Sequence, residues 1–191
     1  MTAQDIKAAA CDSVFDVAIW MIDRAFEDGE YLQPQKMQRL LYLSQAYYGA
    51  LSRGKKLIPC IFVATALGPV EPTSWRIFEN GRPHILPHSL PEEVKHFLDS
   101  IWRRFGSHST DYLGKMLIKH LPFQEAITAG KRSEICFESM CTYYGHPLNK
   151  KDSSGAAPSL ESIMRPKVMR SHKGHAVNVT SWVPKKRPTP D

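Results

Sequence analysis

The stretch PQKMQRLLYLSQAYYGAL, residues 34–51, decides the fold of this chain. Its leading proline suits the first turn of a helix, where an amide proton has no helical acceptor. Seven residues then recur at helical spacing and form one broad stripe: Met37, Leu40, Leu41, Ser44, Tyr47, Tyr48 and Leu51. Arg53-Gly54 ends the run. The pattern predicts a long helix that buries one face against the rest of the core.

Helical patterns also lie before and after this stretch. The preceding pattern begins at an N-cap, Asp12 or Ser13, and stops at Gly29, so we expect the two helices to pack as an antiparallel pair. Three further helices follow, and the residues that signal their starts are Pro91, Ser109 and Ser133. The sequence thus predicts a mainly α fold, a compact bundle of about five helices with one short extended or β element and a C-terminal extension.

The extended element is predicted between the second and third helices. Residues 57–67 are rich in β-branched and aromatic side chains, and the segment breaks at Gly68-Pro69. Its prolines argue against a long central strand, so a short strand or a buried extended piece is expected. Residues 74–79 can form one or two helical turns. Residues 82–91 hold three prolines and two histidines and predict a loop.

Charge is distributed unevenly along the 191 residues. The formal net charge is +6, from 25 Lys and Arg against 19 Asp and Glu. Nine of the basic residues and three of the acidic ones lie in residues 146–191, which leaves 16 of each sign in residues 1–145. The predicted body is therefore neutral, and the tail carries the whole excess of positive charge.

Nothing in the sequence predicts contact with a membrane. No stretch approaches the roughly 18 uninterrupted apolar residues that a membrane span needs. Residues 1–10 lack the apolar segment and cleavage site of a secretion signal. We therefore expect a cytoplasmic protein.

The tail differs in composition from the body. After Gly145 it is rich in Pro, Ser, Lys and Gly, which predicts an extension that is flexible or becomes ordered on a partner. Residues 176–183 alternate polar residues with valines, so a short strand there can add to the edge of another sheet. Three interpretations stay open: a solvated extension, a phosphate-binding segment that includes Arg170, or a contact with an acidic partner anchored by Trp182.

Motifs for catalysis are not found in the sequence. There is no Gly-rich phosphate loop, no nucleophile elbow and no H-E-x-x-H pair. His84 and His88 have the spacing of helical metal ligands, but they flank Pro87 in the predicted loop. The four cysteines lack the spacing of a disulfide framework and are interpreted as buried reduced thiols. We expect no catalytic residue, no bound metal, no cofactor and no enzymatic activity.

One block of motif residues resembles a known family. The heptapeptide KMQRLLY, residues 36–42, is followed after some 25 to 30 residues by Gly68-Pro69-Val70. This pair of motifs resembles the SocA-like antitoxins, also called the Panacea domain, which are related to the phage-associated GepA proteins. The resemblance implies a SocA-like helical domain over residues 1–145, and it does not extend to the tail.

A later block adds to the resemblance and also departs from it. His120 is followed by Pro122-Phe123, as in the family block in which a helix ends in His before a Pro-Trp pair. Phe123 thus replaces the usual Trp, and Arg39 replaces a usual Lys. Both changes keep the aromatic or charged character of the position.

The motif residues are interpreted first as determinants of the fold. They are Leu40, Leu41, Tyr42, Gly68, Pro69, Val70, His120 and Pro122. Partner contact is expected instead at exposed positions beside them and in the tail. The candidates are Lys36, Arg39, Trp75, Arg76, Arg170 and Trp182.

The resemblance implies a function in protein binding. SocA-like antitoxins neutralise a cognate toxin protein, and in the SocA type the antitoxin is an adaptor that presents the toxin to the protease ClpXP. ClpX is then a second partner, and steric masking of the toxin is the other mode in the family. The alternative is a nucleic-acid-binding regulator that uses the basic tail. A DNA reader should place Lys and Arg along one helix, whereas the excess here lies in a Pro-containing tail, so nucleic acid is not the expected partner.

Overall fold

A computed structural model describes residues 8–146, 157–164, 169–170 and 176–177. The helices are α1 (Val14–Glu27), α2 (Pro34–Leu51), α3 (Pro72–Phe78), α4 (Glu92–Phe105), α5 (Thr110–Leu117), α6 (Leu121–Ala129), α7 (Phe137–Gly145) and α8 (Leu160–Met164). The strands are β1 (Val63–Thr65), β2 (Gly68–Val70), β3 (Met169–Arg170) and β4 (Ala176–Val177), in two separate antiparallel pairs. The prediction of a mainly α fold with a short β element is confirmed, and the additional helices are short ones.

Helix α2 is the centre of the molecule. All 14 residues from Lys36 to Gly49 are buried, because α1, α4, α5, α7 and the β1–β2 pair surround the helix. The prediction that α2 buries one face is therefore too narrow, because the helix is buried on its other faces as well. A helix covered on all sides belongs to the interior of a core, although its sequence includes several polar residues.

The buried polar side chains of α2 hold the connecting segments around it. Gln45 accepts hydrogen bonds from the backbone amides of Leu57 and Ile58, both at 3.0 Å, and donates to the Ile58 carbonyl at 3.0 Å. Gln38 accepts from the Glu71 amide at 2.8 Å and donates to Ser74 Oγ at 2.9 Å. Since buried polar groups are costly unless they are hydrogen-bonded, each pair fixes one segment against α2.

The β1–β2 pair is a hairpin with a two-residue turn. Val63 is opposite Val70, and Thr65 is opposite Gly68. The prediction that the chain turns at Gly68-Pro69 is wrong, because these residues begin the second strand and the turn precedes them. Gly68 has a φ of 103°, a backbone conformation that is strained for any residue with a side chain. Thr65 Oγ1 closes the turn by donating to the Gly68 carbonyl at 2.9 Å.

The start of α7 also differs from the prediction. Ser133 was expected to cap this helix, but Cys136 occupies the N-cap position. The residues before it run in extended form beside β1, where the Ala64 amide donates to the Ser133 carbonyl and the Ile135 amide to the Phe62 carbonyl. The predicted caps at Ser13 for α1 and Ser109 for α5 are confirmed, since each side chain accepts a hydrogen bond from a first-turn amide.

Part of the predicted extension packs on the body. Ala157 and Ile163 are buried members of the core, and α8 lies against α2 and α4. Farther along, β3 pairs with β4, so the predicted strand at 176–183 is described over Ala176–Val177 and joins a strand of the same tail. Trp182 and the other residues of 178–183 lie outside the described residues. In the part of the chain that the structure describes, no helix has the length and hydropathy needed to cross a membrane.

Replacing Gln45 with leucine is expected to lower the free energy of unfolding by about 2 kcal/mol or more. The substitution leaves the buried backbone amides of Leu57 and Ile58 without an acceptor, and each orphaned group costs about 1–3 kcal/mol. The Ile58 carbonyl keeps its hydrogen bond from the Cys60 amide. Urea unfolding followed by circular dichroism measures the change. The control is Gln35→Leu, at an exposed position of the same helix, and equal effects of the two substitutions would contradict the role of Gln45.

Candidate functional site

Two exposed aromatic side chains flank a cavity at the turn between α1 and α2. Phe26 is 81% exposed and Tyr31 is 74% exposed. The cavity between them has a volume of about 110 Å³, and Ile22, Leu32, Met37 and Phe78 contribute its apolar lining. We call this region, formed by Phe26, Tyr31 and the cavity, the α1–α2 surface.

The turn that carries this surface is attached to two other helices. Asp28 caps the end of α1, and its Oδ2 accepts a hydrogen bond from Trp102 Nε1 of α4 at 2.7 Å. Gln33 Oε1, just before α2, accepts from Thr110 Oγ1 of α5 at 2.9 Å. Buried Leu32 lies between these attachment points. Phe26, in the last turn of α1, and Tyr31, in the connecting turn, therefore project from a segment that is held in place at both ends.

The charged side chains around the α1–α2 surface are paired with one another. Glu30 and Arg82 line the cavity, where Lys36 pairs with Glu30 at 3.6 Å and Arg82 pairs with Asp23. The Arg82–Asp23 pair is exposed, and such pairs contribute little to stability, whereas Lys36 is buried and Glu30 exposed. The two pairs do leave the rim of the surface nearly neutral, so its attraction for a ligand comes from apolar contact.

The structure separates the predicted partner-contact residues. Trp75 is half-buried and Arg76 is exposed, and both are on α3. They lie within one helical turn of Phe78, which lines the cavity. Lys36 is only 9% exposed and Arg39 only 7%. The expectation that these two cations are exposed is wrong, because the elements around α2 cover every side of the helix.

The structure describes only the backbone of one of the two predicted tail residues. The Arg170 backbone belongs to β3, and Trp182 lies outside the described residues.

Arg39 is a buried cation that holds two elements together. Its Nη1 donates to the Thr110 carbonyl at the start of α5, and its Nη2 donates to the Leu67 carbonyl in the hairpin turn at 3.1 Å. Burial lowers the pKa of the guanidinium, and the charge of Asp111 opposes that shift. Gly114 leaves the space that the guanidinium occupies, since a Cβ there would lie 2.9 Å from Nη2. Arg39 thus fixes the hairpin and α5 to α2.

His120 belongs to a buried group of aromatic side chains. It is fully buried at the start of α6, and its Nδ1 lies 2.7 Å from the hydroxyl of Tyr144 on α7. Tyr42 and Tyr47 pack edge-on against the Tyr144 ring, at centroid distances of 6.2 and 4.8 Å. Burial raises the pKa of each of the three tyrosines above its ordinary value. Each hydroxyl therefore stays protonated in the folded chain.

The remaining motif residues lie in or beside the core. Leu40, Leu41 and Tyr42 are fully buried in α2, and Gly68, Pro69 and Val70 form β2. Pro122 is in the first turn of α6, where a proline costs no helical hydrogen bond.

A metal centre is not found among the described residues, which contain no group of three His, Cys, Asp or Glu side chains able to hold an ion. In the predicted histidine loop, the His88 amide instead donates to buried Asp16 at 2.8 Å. All four cysteines are free thiols, but Cys136 is exposed and not buried as expected.

Phe26 and Tyr31 were missed by the sequence analysis. Phe26 lies outside the apolar stripe of α1 and Tyr31 in the turn that follows Gly29. A large aromatic residue at such positions is a weak signal for a contact surface, because an isolated exposed apolar residue is common on any protein.

Comparisons with known proteins leave the family open. No protein-family model matches the sequence, no curated protein matches it significantly, and no solved structure does so either. The resemblance to SocA-like antitoxins therefore depends on the motif residues alone.

Replacing Gly114 with alanine is expected to destabilise the protein by about 1–2 kcal/mol, although alanine is the better helix former by about 1 kcal/mol. The new methyl group displaces the Arg39 guanidinium from its carbonyl acceptors. In an Arg39→Ala background the same substitution is expected to be neutral or stabilising. Urea unfolding of the four proteins gives the coupling, and the same loss in both backgrounds would contradict the contact.

Stability is expected to fall as the pH rises above about 10. The pKa of Tyr144 is higher in the folded chain than in the unfolded chain, where tyrosine ionises near pH 10. Its contribution is fully present below that pH and declines above it, by about 1.4 kcal/mol for each pH unit. Urea midpoints between pH 8 and pH 11 should decline less steeply for Tyr144→Phe than for Tyr112→Phe, a change at an exposed tyrosine. Equal slopes would refute this assignment.

Proposed function

We propose that this chain binds and neutralises a cognate toxin protein, as SocA-like antitoxins do, and that the toxin docks on the α1–α2 surface. The observation that carries the proposal is the pair of exposed aromatic side chains, Phe26 and Tyr31, on either side of an apolar cavity. The motif residues of α2 and β2 supply the link to the antitoxin family.

Protein interfaces favour this arrangement of side chains. Binding energy is concentrated in a few aromatic or Arg anchors that fill pockets near the middle of an interface. On the α1–α2 surface the anchors and the pocket are adjacent, and the Lys36–Glu30 and Arg82–Asp23 ion pairs form a polar rim. A partner that inserts one apolar side chain into the cavity would cover Phe26 and Tyr31 as well.

We propose further that this chain is an adaptor that delivers the bound toxin to the protease ClpXP. An adaptor needs one surface for its cargo and another for the protease. The α1–α2 surface lies at the start of α2, whereas Pro158, just before α8 in the basic tail, accepts a hydrogen bond from Tyr47 about 20 Å farther along that helix. The toxin and the protease would thus bind at separate places on one rigid body.

Replacing both Phe26 and Tyr31 with serine is expected to weaken toxin binding by about a hundredfold or more, because each aromatic anchor contributes on the order of 2 kcal/mol. The matched control is Tyr112→Ser, a change at an exposed aromatic residue on α5. Both variants should unfold at nearly the wild-type urea concentration, since the side chains replaced are largely in water.

The partner is first identified by a photo-crosslinking amino acid at position 26, with position 112 as control, in cells of the native host. The crosslinked protein is then expressed alone and together with each variant. The wild type and Tyr112→Ser should relieve its growth arrest, and the double variant should not. Relief by the double variant would refute docking at this surface. A crosslink to nucleic acid alone would favour the alternative function, a nucleic-acid-binding regulator.

A further inference from the structure

The segment Ala157 to Met164 lies in a groove of the body between α2 and α4. Ala157 and Ile163 are buried, and Leu160 packs against the core between them. Helix α8 contacts both α2 and α4, and Tyr143 of α7 lies beside the start of the segment. We call this site the α2–α4 groove.

Two tyrosines bind the backbone of the segment. Tyr47, fully buried on α2, donates from its hydroxyl to the Pro158 carbonyl at 2.8 Å. Tyr143 is hydrogen-bonded by the backbone of the neighbouring Ala157. Side chains that bind peptide backbone groups, together with apolar contacts at alternate positions, are the features by which proteins recognise extended and helical peptides.

The segment depends on the groove for its structure. Helix α8 has five residues, far fewer than the roughly 12 to 15 that an isolated helix needs in water. It is therefore helical because the groove holds Leu160 and Ile163. A short element with few buried side chains opens at a lower free energy than the whole domain unfolds.

We propose that the α2–α4 groove is a peptide-binding site, occupied in this structure by the chain's own segment and accessible to a partner protein that carries a similar one. The occupant defines the chemistry of that partner. It has a small residue followed by proline, then two apolar side chains at the spacing of Leu160 and Ile163. Glu161 and Ser162, between the two apolar residues, are exposed.

Tyrosines of the body contact the first two residues of this pattern. Ala157 is buried beside Tyr143, which selects a small side chain. Pro158 has no amide proton to satisfy, and its carbonyl accepts from Tyr47. The proposal does not depend on the α1–α2 surface or on the identity of a toxin, so the two proposals succeed or fail separately.

The test uses the full chain with its own segment released. Ile163→Asp places a charge in the buried position and should eject the segment while leaving the groove residues intact. The probe is a synthetic peptide of residues 155–166, titrated by fluorescence anisotropy. The released chain should bind it at least about tenfold more tightly than the wild type, because a tethered segment competes at an effective concentration near the millimolar range.

Two controls assign the binding to the groove. In the released chain, Tyr47→Phe should weaken peptide binding about five- to tenfold through loss of the hydrogen bond to the Pro158 carbonyl. Tyr112→Phe, remote from the segment in sequence and exposed on α5, should leave it unchanged. If Ile163→Asp does not fold, Leu160→Asp at the half-buried position serves as the released chain.

Three results would overturn the proposal. The first is a folded, released chain that does not bind the peptide. The second is wild-type protein that binds the peptide as tightly as the released chain, since the groove would then not be occupied by the segment. The third is a released chain whose affinity for the peptide is unchanged by Tyr47→Phe, because the hydrogen bond from Tyr47 to the peptide backbone would then contribute nothing to binding.

Discussion

The burial of α2 on every side is the constraint on which the rest of this structure depends. A helix that touches solvent can place its polar side chains in water, but Gln38, Arg39 and Gln45 have no such route. Each must find hydrogen-bond partners inside the protein, because an unpaired polar group in the interior costs free energy. The partners are the Ser74 hydroxyl and backbone groups of the segments after α2: residues 57–58, the residue before α3, the hairpin turn and the start of α5. These hydrogen bonds set the path of the chain around the central helix.

Close packing around α2 follows from the same constraint. A Cβ on Gly49 would lie 2.6 Å from Cys141 Sγ and 2.7 Å from the Phe137 ring, so glycine lets α7 approach the central helix closely. Tyr144 of α7 can then pack against Tyr42 and Tyr47, and its hydroxyl lies within hydrogen-bond distance of His120. The motif residues that resemble the antitoxin family are thus mostly residues of this shared core. Their spacing reflects how the core is built.

The two proposed binding sites both derive their rigidity from α2. The α1–α2 surface precedes its first turn, and the α2–α4 groove includes Tyr47 more than three turns later. A partner at either place meets preorganised side chains, which lowers the entropic cost of binding. The surfaces differ in kind. One presents exposed aromatic rings beside a cavity, and the other combines buried hydroxyl groups with apolar contacts.

The sequence by itself determined the elements that depend on local signals. The start of α2 at Pro34, the caps at Ser13 and Ser109, the mainly helical class and the neutral body follow from neighbouring residues and from composition. Hydrophobic periodicity, however, identifies a buried face and cannot count how many sides of a helix are covered. Only the tertiary structure therefore decided that Lys36 and Arg39 are buried, that Gly68 begins a strand, and that Ala157 to Met164 returns to the core. Those outcomes depend on contacts between residues far apart in the chain, as does the position of the Phe26 and Tyr31 side chains beside one cavity.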